Sequence, residues 1–182
     1  MHNEIIEWMS YVKRIMPQYF TNVKVLDVGS RDVNGTNRYL YDSTVKYEGL
    51  DITPGDNVDH VGYVHEWTTT DKYYTYDSII STDMLEHDRH WIKSLQAMLS
   101  LVKPGGLFVL TCAGQDRAEH GTSRNNPSAS MGTTDWYQNI TPLMMREAFT
   151  PEHRFSSWQY DISMNTMGPG YDTRMWGIKH KG

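Results

Sequence analysis

The order of apolar runs and loops predicts an α/β domain on a mostly parallel, doubly wound sheet. Residues Val25-Leu26-Asp27-Val28-Gly29-Ser30-Arg31-Asp32-Val33-Asn34-Gly35 form an apolar run that ends in an acidic residue and breaks into a tight loop. A buried parallel strand hands its carboxyl end to a ligand in this way. The segment Tyr47-Glu48-Gly49-Leu50-Asp51-Ile52 is a second short strand signal ending in an acidic residue, and Tyr76 to Thr82 is followed by a helical stretch and the apolar run Leu107 to Cys112. In open α/β sheets, nucleotides and related cofactors bind in the crevice beyond the strand ends, and the first strand-to-helix loop usually carries the fingerprint.

Each element has its own signal. Ile5, Ile6, Trp8, Met9, Val12 and Ile15 recur at helical spacing, which predicts an amphipathic helix over 4–16, closed by Pro17 and packed on the sheet or over a ligand. The first strand is expected at about 23–28, a helix or irregular turn at 35–42, the second strand at 46–51 and a short strand at 59–64. Strand four is expected at 76–82 and a helix at 89–101, with Trp91, Ile92, Leu95, Met98 and Leu99 turned inward. Lys103-Pro104-Gly105-Gly106 should end that helix in a rigid turn before strand five at 107–112. Ala113 to Asp135 has no periodicity and is rich in Gly, Ser, Asn and Thr. Thr141 then caps a short helix that starts at Pro142. Phe155 to Met164 and Arg174 to His180 alternate as strands, and Gly168-Pro169-Gly170 fits a turn between them.

The 182 residues suit one domain over 1–182, with 1–22 as an N-terminal helical region and 113–140 as a substrate-side loop. Net charge is −5 without a Lys/Arg stripe, which argues against a nucleic-acid partner. The single cysteine, Cys112, excludes an intrachain disulfide and reads as a buried thiol. No apolar stretch approaches the ~20 residues that span a bilayer, and the amino end is polar, so a soluble, unexported, cytoplasmic protein without a membrane partner is expected. A monomer or homodimer fits this composition.

The first loop separates two cofactors. A dinucleotide site wants Gly-x-Gly-x-x-Gly, but here Ser30 and Arg31 follow Gly29 and Val33 is bulky, so side chains would obstruct a pyrophosphate. Asp27 would also repel phosphate, whereas it suits a ligand bearing an ammonium group and a sulfonium; S-adenosylmethionine is such a ligand. Asp51, about 20 residues beyond the glycine loop, can accept hydrogen bonds from both ribose hydroxyls; the alternative is a solvated strand-end aspartate. An NAD-dependent oxidoreductase is disfavoured by the missing phosphate loop.

Taken in order, the acidic-x-Gly loop, the Gly-x-Asp strand end, Tyr76-Asp77-Ser78-Ile79-Ile80 with Leu85-Glu86-His87, and Lys103-Pro104-Gly105-Gly106 resemble a class I S-adenosylmethionine-dependent methyltransferase, in particular the small type 11 domains. The resemblance spans roughly residues 23–112. It departs from the family in the first loop, where Arg31 and Val33 replace the usual glycines and Asn34-Gly35 comes late.

The resemblance implies a single-domain Rossmann-like sheet of about seven strands, the last inserted antiparallel between its neighbours. It also implies that Asp27, Gly29, Ser30, Arg31 and Asp51 belong to the cofactor site, Gly29 through close ligand approach unless it is an ordinary turn glycine. Ile52 would pack on an adenine face or be plain core. Family members often carry an acidic residue after the third strand; here Gly62-Tyr63-Val64-His65-Glu66-Trp67 leaves that task to backbone around Tyr63 and Val64. Thr82 and Asp83 would face the methyl group, with Asp83 holding the ammonium or orienting a substrate. His120 is the first candidate for a general base, because an imidazole titrates near neutrality, and His87 is the second; each could also be an incidental histidine. Asp135-Trp136-Tyr137 opens an Asp-Trp-Tyr to Thr-Pro stretch that looks like a family substrate segment, so Asp135, Trp136 and Tyr137 are assigned to substrate binding. His87 and His90 could share a helical face with Asp83 and Glu86 nearby, but their spacing matches no closed metal motif, and no metal is assigned.

The expected reaction is in-line methyl transfer to an oxygen, nitrogen or carbon nucleophile of a small-molecule or sugar-like acceptor, with a terminal protein group as fallback. Alignment and desolvation would carry most of it. The alternative is a non-catalytic S-adenosylmethionine-binding partner or regulatory subunit, which would keep Asp27, Gly29 and Asp51 without an acceptor pocket. Ser81-Thr82-Asp83-Met84 lacks the Asn/Asp-Pro-Pro-aromatic signature of amino-methylating DNA enzymes.

Overall fold

In the computed structural model, residues 3–133, 135–164 and 168–181 are described. The strands are β1 (Lys24–Val28), β2 (Lys46–Asp51), β3 (His60–Val61), β4 (Tyr76–Thr82), β5 (Val102–Ala113), β6 (Phe155–Met164) and β7 (Tyr171–Lys179). They form one seven-stranded sheet in the order β3-β2-β1-β4-β5-β7-β6. Strands β1 to β5 pair in parallel, and β7 pairs antiparallel with both β5 and β6. The expected sheet, with the last strand inserted between its neighbours, is therefore present. The strand order reverses at β1 and β4, and a crevice opens beyond their carboxyl ends.

Both faces of the sheet are covered, which is why Val25-Leu26 in β1, Ile79-Ile80 in β4 and Leu107 to Leu110 in β5 are fully buried apolar stretches. On one face, α1 (Asn3–Ile15) buries Ile5, Trp8, Met9 and Val12 against Val25, Ile80, Leu107 and Val109. Ile6 and Ile15 lie at the wet margins of that stripe and are exposed. On the other face, α3 (Trp91–Leu101) and α4 (Pro142–Phe149) pack Leu95, Met98, Met145 and Phe149 against Leu26, Ile79, Phe108 and Leu110. Thr141 caps α4 as expected, accepting from the Met144 amide at 3.3 Å.

Several expectations change. Ile92 is 44% exposed, because Trp91, Leu95, Met98 and Leu101 define the buried stripe of α3 and Ile92 falls beside it. The helix begins at Trp91 rather than Arg89, since Asp88 accepts from the His90 amide at 2.7 Å just before it. Its end passes directly into β5 at Val102, so Lys103-Pro104-Gly105-Gly106 lies inside the strand and is absorbed as an irregularity opposite Tyr76 and Ser78, with Gly105 at φ +77. The third strand shrinks to His60–Val61: the Gly62 amide makes its last ladder bond, to the Asp51 carbonyl (2.8 Å), and α2 (Val64–Trp67) follows at once. A short α5 (Pro151–Arg154) precedes β6, and β7 starts at Tyr171, before the expected Arg174. Among the described residues, no helix is long and apolar enough to cross a membrane.

Candidate active site

A cleft of about 740 Å³ opens beyond β1, β2 and β4, and part of the irregular loop after β5 folds over it. Asp27 and Asp51, Asp83 just after β4, and Arg31, Arg89 and Arg117 contribute to its walls; among the described residues, no lysine does.

Asp27 stands near the end of β1, opposite Gly49 on β2 and Ile80 on β4. It is almost fully buried; its Oδ2 accepts from the Tyr47 hydroxyl and its Oδ1 has no hydrogen-bond partner. Burial pushes its carboxyl up to about 7, against the Tyr47 hydrogen bond, with Asp51 adding to the rise and Arg38 opposing it. An uncompensated carboxylate at a cavity wall favours a cationic ligand.

The glycine loop is held by short backbone bonds. The Gly29 amide donates to the Leu50 carbonyl at 2.8 Å and Ser30 to the same oxygen at 3.2 Å. Gly29 has φ +81, and a Cβ there would lie 2.6 Å from Met84 Cβ and Cγ. Contact with the segment after β4, rather than ligand approach alone, therefore requires the glycine. Ser30 is buried with its hydroxyl unpartnered. Arg31 replaces a family glycine without losing the loop: its amide donates to Asp51 Oδ2 (3.1 Å) and its guanidinium to Thr53 Oγ1 (3.1 Å). Val33, the other departure, is exposed.

Asp51 Oδ1 accepts from the Thr53 amide at 3.0 Å and hydroxyl at 3.2 Å, so this carboxylate ties the first loop to the end of β2. Beside it, Ile52 meets the returning loop: a Cβ on Gly132, which has φ +87, would lie 3.2 Å from Ile52 Cδ1 and 2.7 Å from Thr53 Cγ2. Tyr63 is 40% exposed on the cleft wall, and its carbonyl accepts the Glu66 and Trp67 amides at 3.0 and 2.8 Å. The Tyr63 carbonyl is thus engaged by α2.

Thr82 Oγ1 accepts from Asn37 Nδ2 at 3.0 Å. Asp83, at φ +51, is fixed to β5 by its amide on the Thr111 carbonyl (3.0 Å) and by the Thr111 hydroxyl on its Oδ1 (3.2 Å). Deeper lies Glu86, fully buried, whose carboxyl is pushed well up by burial first and then by Asp83, with Asp172 adding and backbone hydrogen bonds opposing. Burial and Asp83 also raise Asp172 to about 6, while Arg117, with Nε 2.9 Å from Asp172 Oδ1, opposes the rise.

His87 and His120, distant in the chain, meet here with ring centroids 4.9 Å apart, edge to face. The Tyr137 ring touches both, at 5.6 and 5.0 Å. His87 is nearly buried, and burial, then the neighbouring His120, hold its imidazole down at about 3, so it is neutral at physiological pH. Both histidines and Trp136 line the cleft, and Arg89 lies over the Trp136 ring at 5.3 Å. Tyr137 sits behind the two imidazoles rather than on the cleft wall.

Asp135 does not join them. It is exposed at φ +70, outside the cleft wall, because Ser123 and Arg124 of the same loop take its carboxylate, Arg124 at 3.5 Å. The imagined pairing of His87 with His90 fails too. His87 ends a 3-10 turn, whereas His90 precedes α3 and packs on His65 with centroids 5.2 Å apart.

The sequence model of a family described as "Methyltransferase domain" matches residues 2–172. The chain belongs to this methyltransferase family. No curated protein matches it. Among solved structures, the domain is similar to a 1,6-didemethyltoxoflavin-N1-methyltransferase from Burkholderia thailandensis holding 1,6-didemethyltoxoflavin and S-adenosylhomocysteine, with TM-score 0.67 and 14% identity over 94% of this chain and 78% of that one. It also resembles the CurJ carbon methyltransferase (TM-score 0.67, 16% identity, 98% and 54% covered). A third likeness is to Haemonchus contortus phosphoethanolamine N-methyltransferase 2 in complex with S-adenosyl-L-methionine (TM-score 0.67, 11% identity, 96% and 52% covered). The chain spans about half the length of the latter two. At these identities the likeness is one of fold.

Within this methyltransferase domain, sequence reasoning found Asp27, Gly29, Asp51, Asp83, His87, His120 and Trp136 on the cleft. It missed Met84 and Arg117 on that wall, and Asp172, which pairs with Arg117 from behind it. Arg117 lies in an aperiodic loop and Asp172 begins a late strand, so neither carries a local signal; only the paired burial of opposite charges reveals them.

Proposed function

We propose that this methyltransferase domain binds S-adenosylmethionine in the cleft and catalyses methyl transfer to an oxygen, nitrogen or carbon nucleophile of a small-molecule or sugar-like acceptor. The observation that carries the reading is the convergence of Asp27, Asp51 and Asp83 on one cavity, at the carboxyl ends of β1, β2 and β4. The residues present fit that cofactor: Asp27 Oδ1 and the Ser30 hydroxyl are buried without partners, as a charged, hydrogen-bonding ligand would require. When bound, the cofactor supplies an electrophilic methyl group on a good leaving group.

The chain's residues then have distinct tasks. Asp27 supplies negative charge toward the ammonium and sulfonium, Asp51 keeps one lone pair on Oδ2 for a ribose hydroxyl, and Ile52 offers an apolar wall under the returning Gly132. Asp83, fixed by Thr111, faces the reacting end. His87 is neutral and nearly buried, so it suits hydrogen bonding and orientation, whereas half-buried His120 is placed to take a proton from the acceptor. Trp136 forms the acceptor wall. The loop that carries Arg117, His120 and Trp136 helps to exclude water, which strengthens each electrostatic contact.

Calorimetric titration with S-adenosylmethionine and S-adenosylhomocysteine, on wild type and Asp51→Ala, tests this reading. Binding that collapses in the variant supports it and justifies acceptor screening. Absence of binding by folded wild type would overturn it and favour an interaction module.

A further inference from the structure

Behind the acceptor side of the cleft, three ligand-type side chains converge from the 3-10 turn after β4 and from the irregular loop. Glu86, His87 and His120 each offer one donor atom, and the three atoms lie within 4.8 Å of one another. We propose that these residues form a binding site for a divalent transition-metal ion, with coordination positions left open toward the cavity.

The donor chemistry supports a site rather than chance proximity. The Glu86 side chain is fully buried, and neither carboxylate oxygen makes a well-formed hydrogen bond, although the Glu86 and Ala113 amides lie nearby. His87 is 5% exposed, and its Nδ1 is buried with no partner at all. Buried polar atoms are almost always satisfied, and two adjacent residues that break the rule at one spot call for a ligand. His120 Nδ1 lies 3.0 Å from the Ala118 carbonyl, which accepts its proton and leaves Nε2 as the lone pair a metal needs. A carbonyl that fixes the tautomer in this way is the usual outer support of a metal-bound histidine. Gly121 presses its backbone on His87, where a Cβ would come within 2.8 Å of Cε1, so loop and ring are already in register.

Two imidazoles and one carboxylate are a nitrogen and oxygen set suited to zinc, iron or manganese rather than to calcium or magnesium. Donors in a tetrahedral zinc site lie about 3.4 Å apart, so closure asks the three side chains to draw in by roughly 1 Å. His87 and His120 line the cleft and Glu86 lies behind them, so vacant positions face the acceptor space. A bound ion would join the loop to the sheet end and would occupy the Nε2 lone pair with which His120 otherwise takes a proton, so the metal-bound form does not use His120 as a base. It would also favour an acceptor that presents a hydroxyl, carboxylate or amine donor; this last step rests on the methyltransferase reading, whereas metal binding does not.

The test uses the full chain, stripped with a chelator and titrated with Zn²⁺ by calorimetry and with Co²⁺ by visible absorption. One ion per chain, a Co²⁺ ligand-field band, and at least about tenfold weaker binding by His120→Ala and Glu86→Gln support the site, with exposed His153→Ala unchanged. Because Glu86→Gln alters a buried group, His120→Ala with an unaltered circular dichroism spectrum is the deciding variant. Failure of wild type to bind either ion, or equal binding by His120→Ala, would overturn the proposal. Titrating the same metal-free sample with S-adenosylmethionine separates failure of this site from failure of the methyltransferase reading.

Discussion

Asp27→Asn should make the protein more stable and less able to bind its cofactor. The wild-type carboxyl is pushed up to about 7 from an ordinary 3.8, chiefly by burial. An acid raised on folding behaves oppositely to a salt-bridged one. Between those two values the native state holds more proton than the unfolded state, so stability falls as pH rises through that window and stays lower above it. At about 1.4 kcal/mol per unit, the loss is under about 2 kcal/mol at pH 5 and about 4 kcal/mol at pH 8. Asparagine keeps an oxygen for the Tyr47 hydroxyl and carries no charge, so its advantage over wild type should grow by about 2 kcal/mol or more from pH 5 to pH 8. Urea denaturation of both proteins at several pH values measures this. A cationic ligand that draws Asp27 into its charged form must also expel a proton, about 0.9 per binding event at pH 6 and about 0.1 at pH 8. Calorimetry in buffers of different ionisation enthalpy counts it. A pH-independent stability difference, or the same proton release from Asp27→Asn, would refute the argument.

Gly29→Ala combines a left-handed backbone with a 2.6 Å collision on Met84, and chemical denaturation should show a loss of about 2–4 kcal/mol. Arg117→Met leaves Asp172 buried without its 2.9 Å partner, at a cost of about 3 kcal/mol near pH 8. The cost should shrink as pH falls toward about 6, because Arg117 opposes the rise of Asp172 and its loss lets that carboxyl take up a proton, and shed the unpaired charge, at higher pH than in wild type. Gly132→Ala, with φ +87 and a Cβ 2.7 Å from Thr53, should lift the loop from Ile52. Calorimetry should then show weaker cofactor binding while the denaturation midpoint barely moves.

Strand β1 and the core of β5 were legible in the sequence as short apolar runs that a sheet covered on both faces requires, and β2 and β4 as brief apolar cores, Leu50 and Ile79-Ile80, that lead straight into a loop. The acidic residues that end β1 and β2 were legible for the same reason, since a carboxylate closing an apolar run marks where the strand leaves the core. Exposure of Ile92 was not, because the register of a helix stripe depends on where the helix begins, and the Asp88 contact to His90 sets that. Asp135 reads as a site residue until the loop closes on itself and Ser123 and Arg124 capture it.

The sequence by itself determined most of the sheet and the carboxylates at its strand ends, because these rest on local apolar runs and on the short loops after them, and its motifs in order carried the resemblance to the family. Only the tertiary structure decided that His87 meets His120, that Glu86 lies buried beside them and that Arg117 pairs with Asp172. Those contacts join segments far apart in the chain, and no local pattern encodes them; burial of charge, together with the loop's return across the strand ends, brings them into one place.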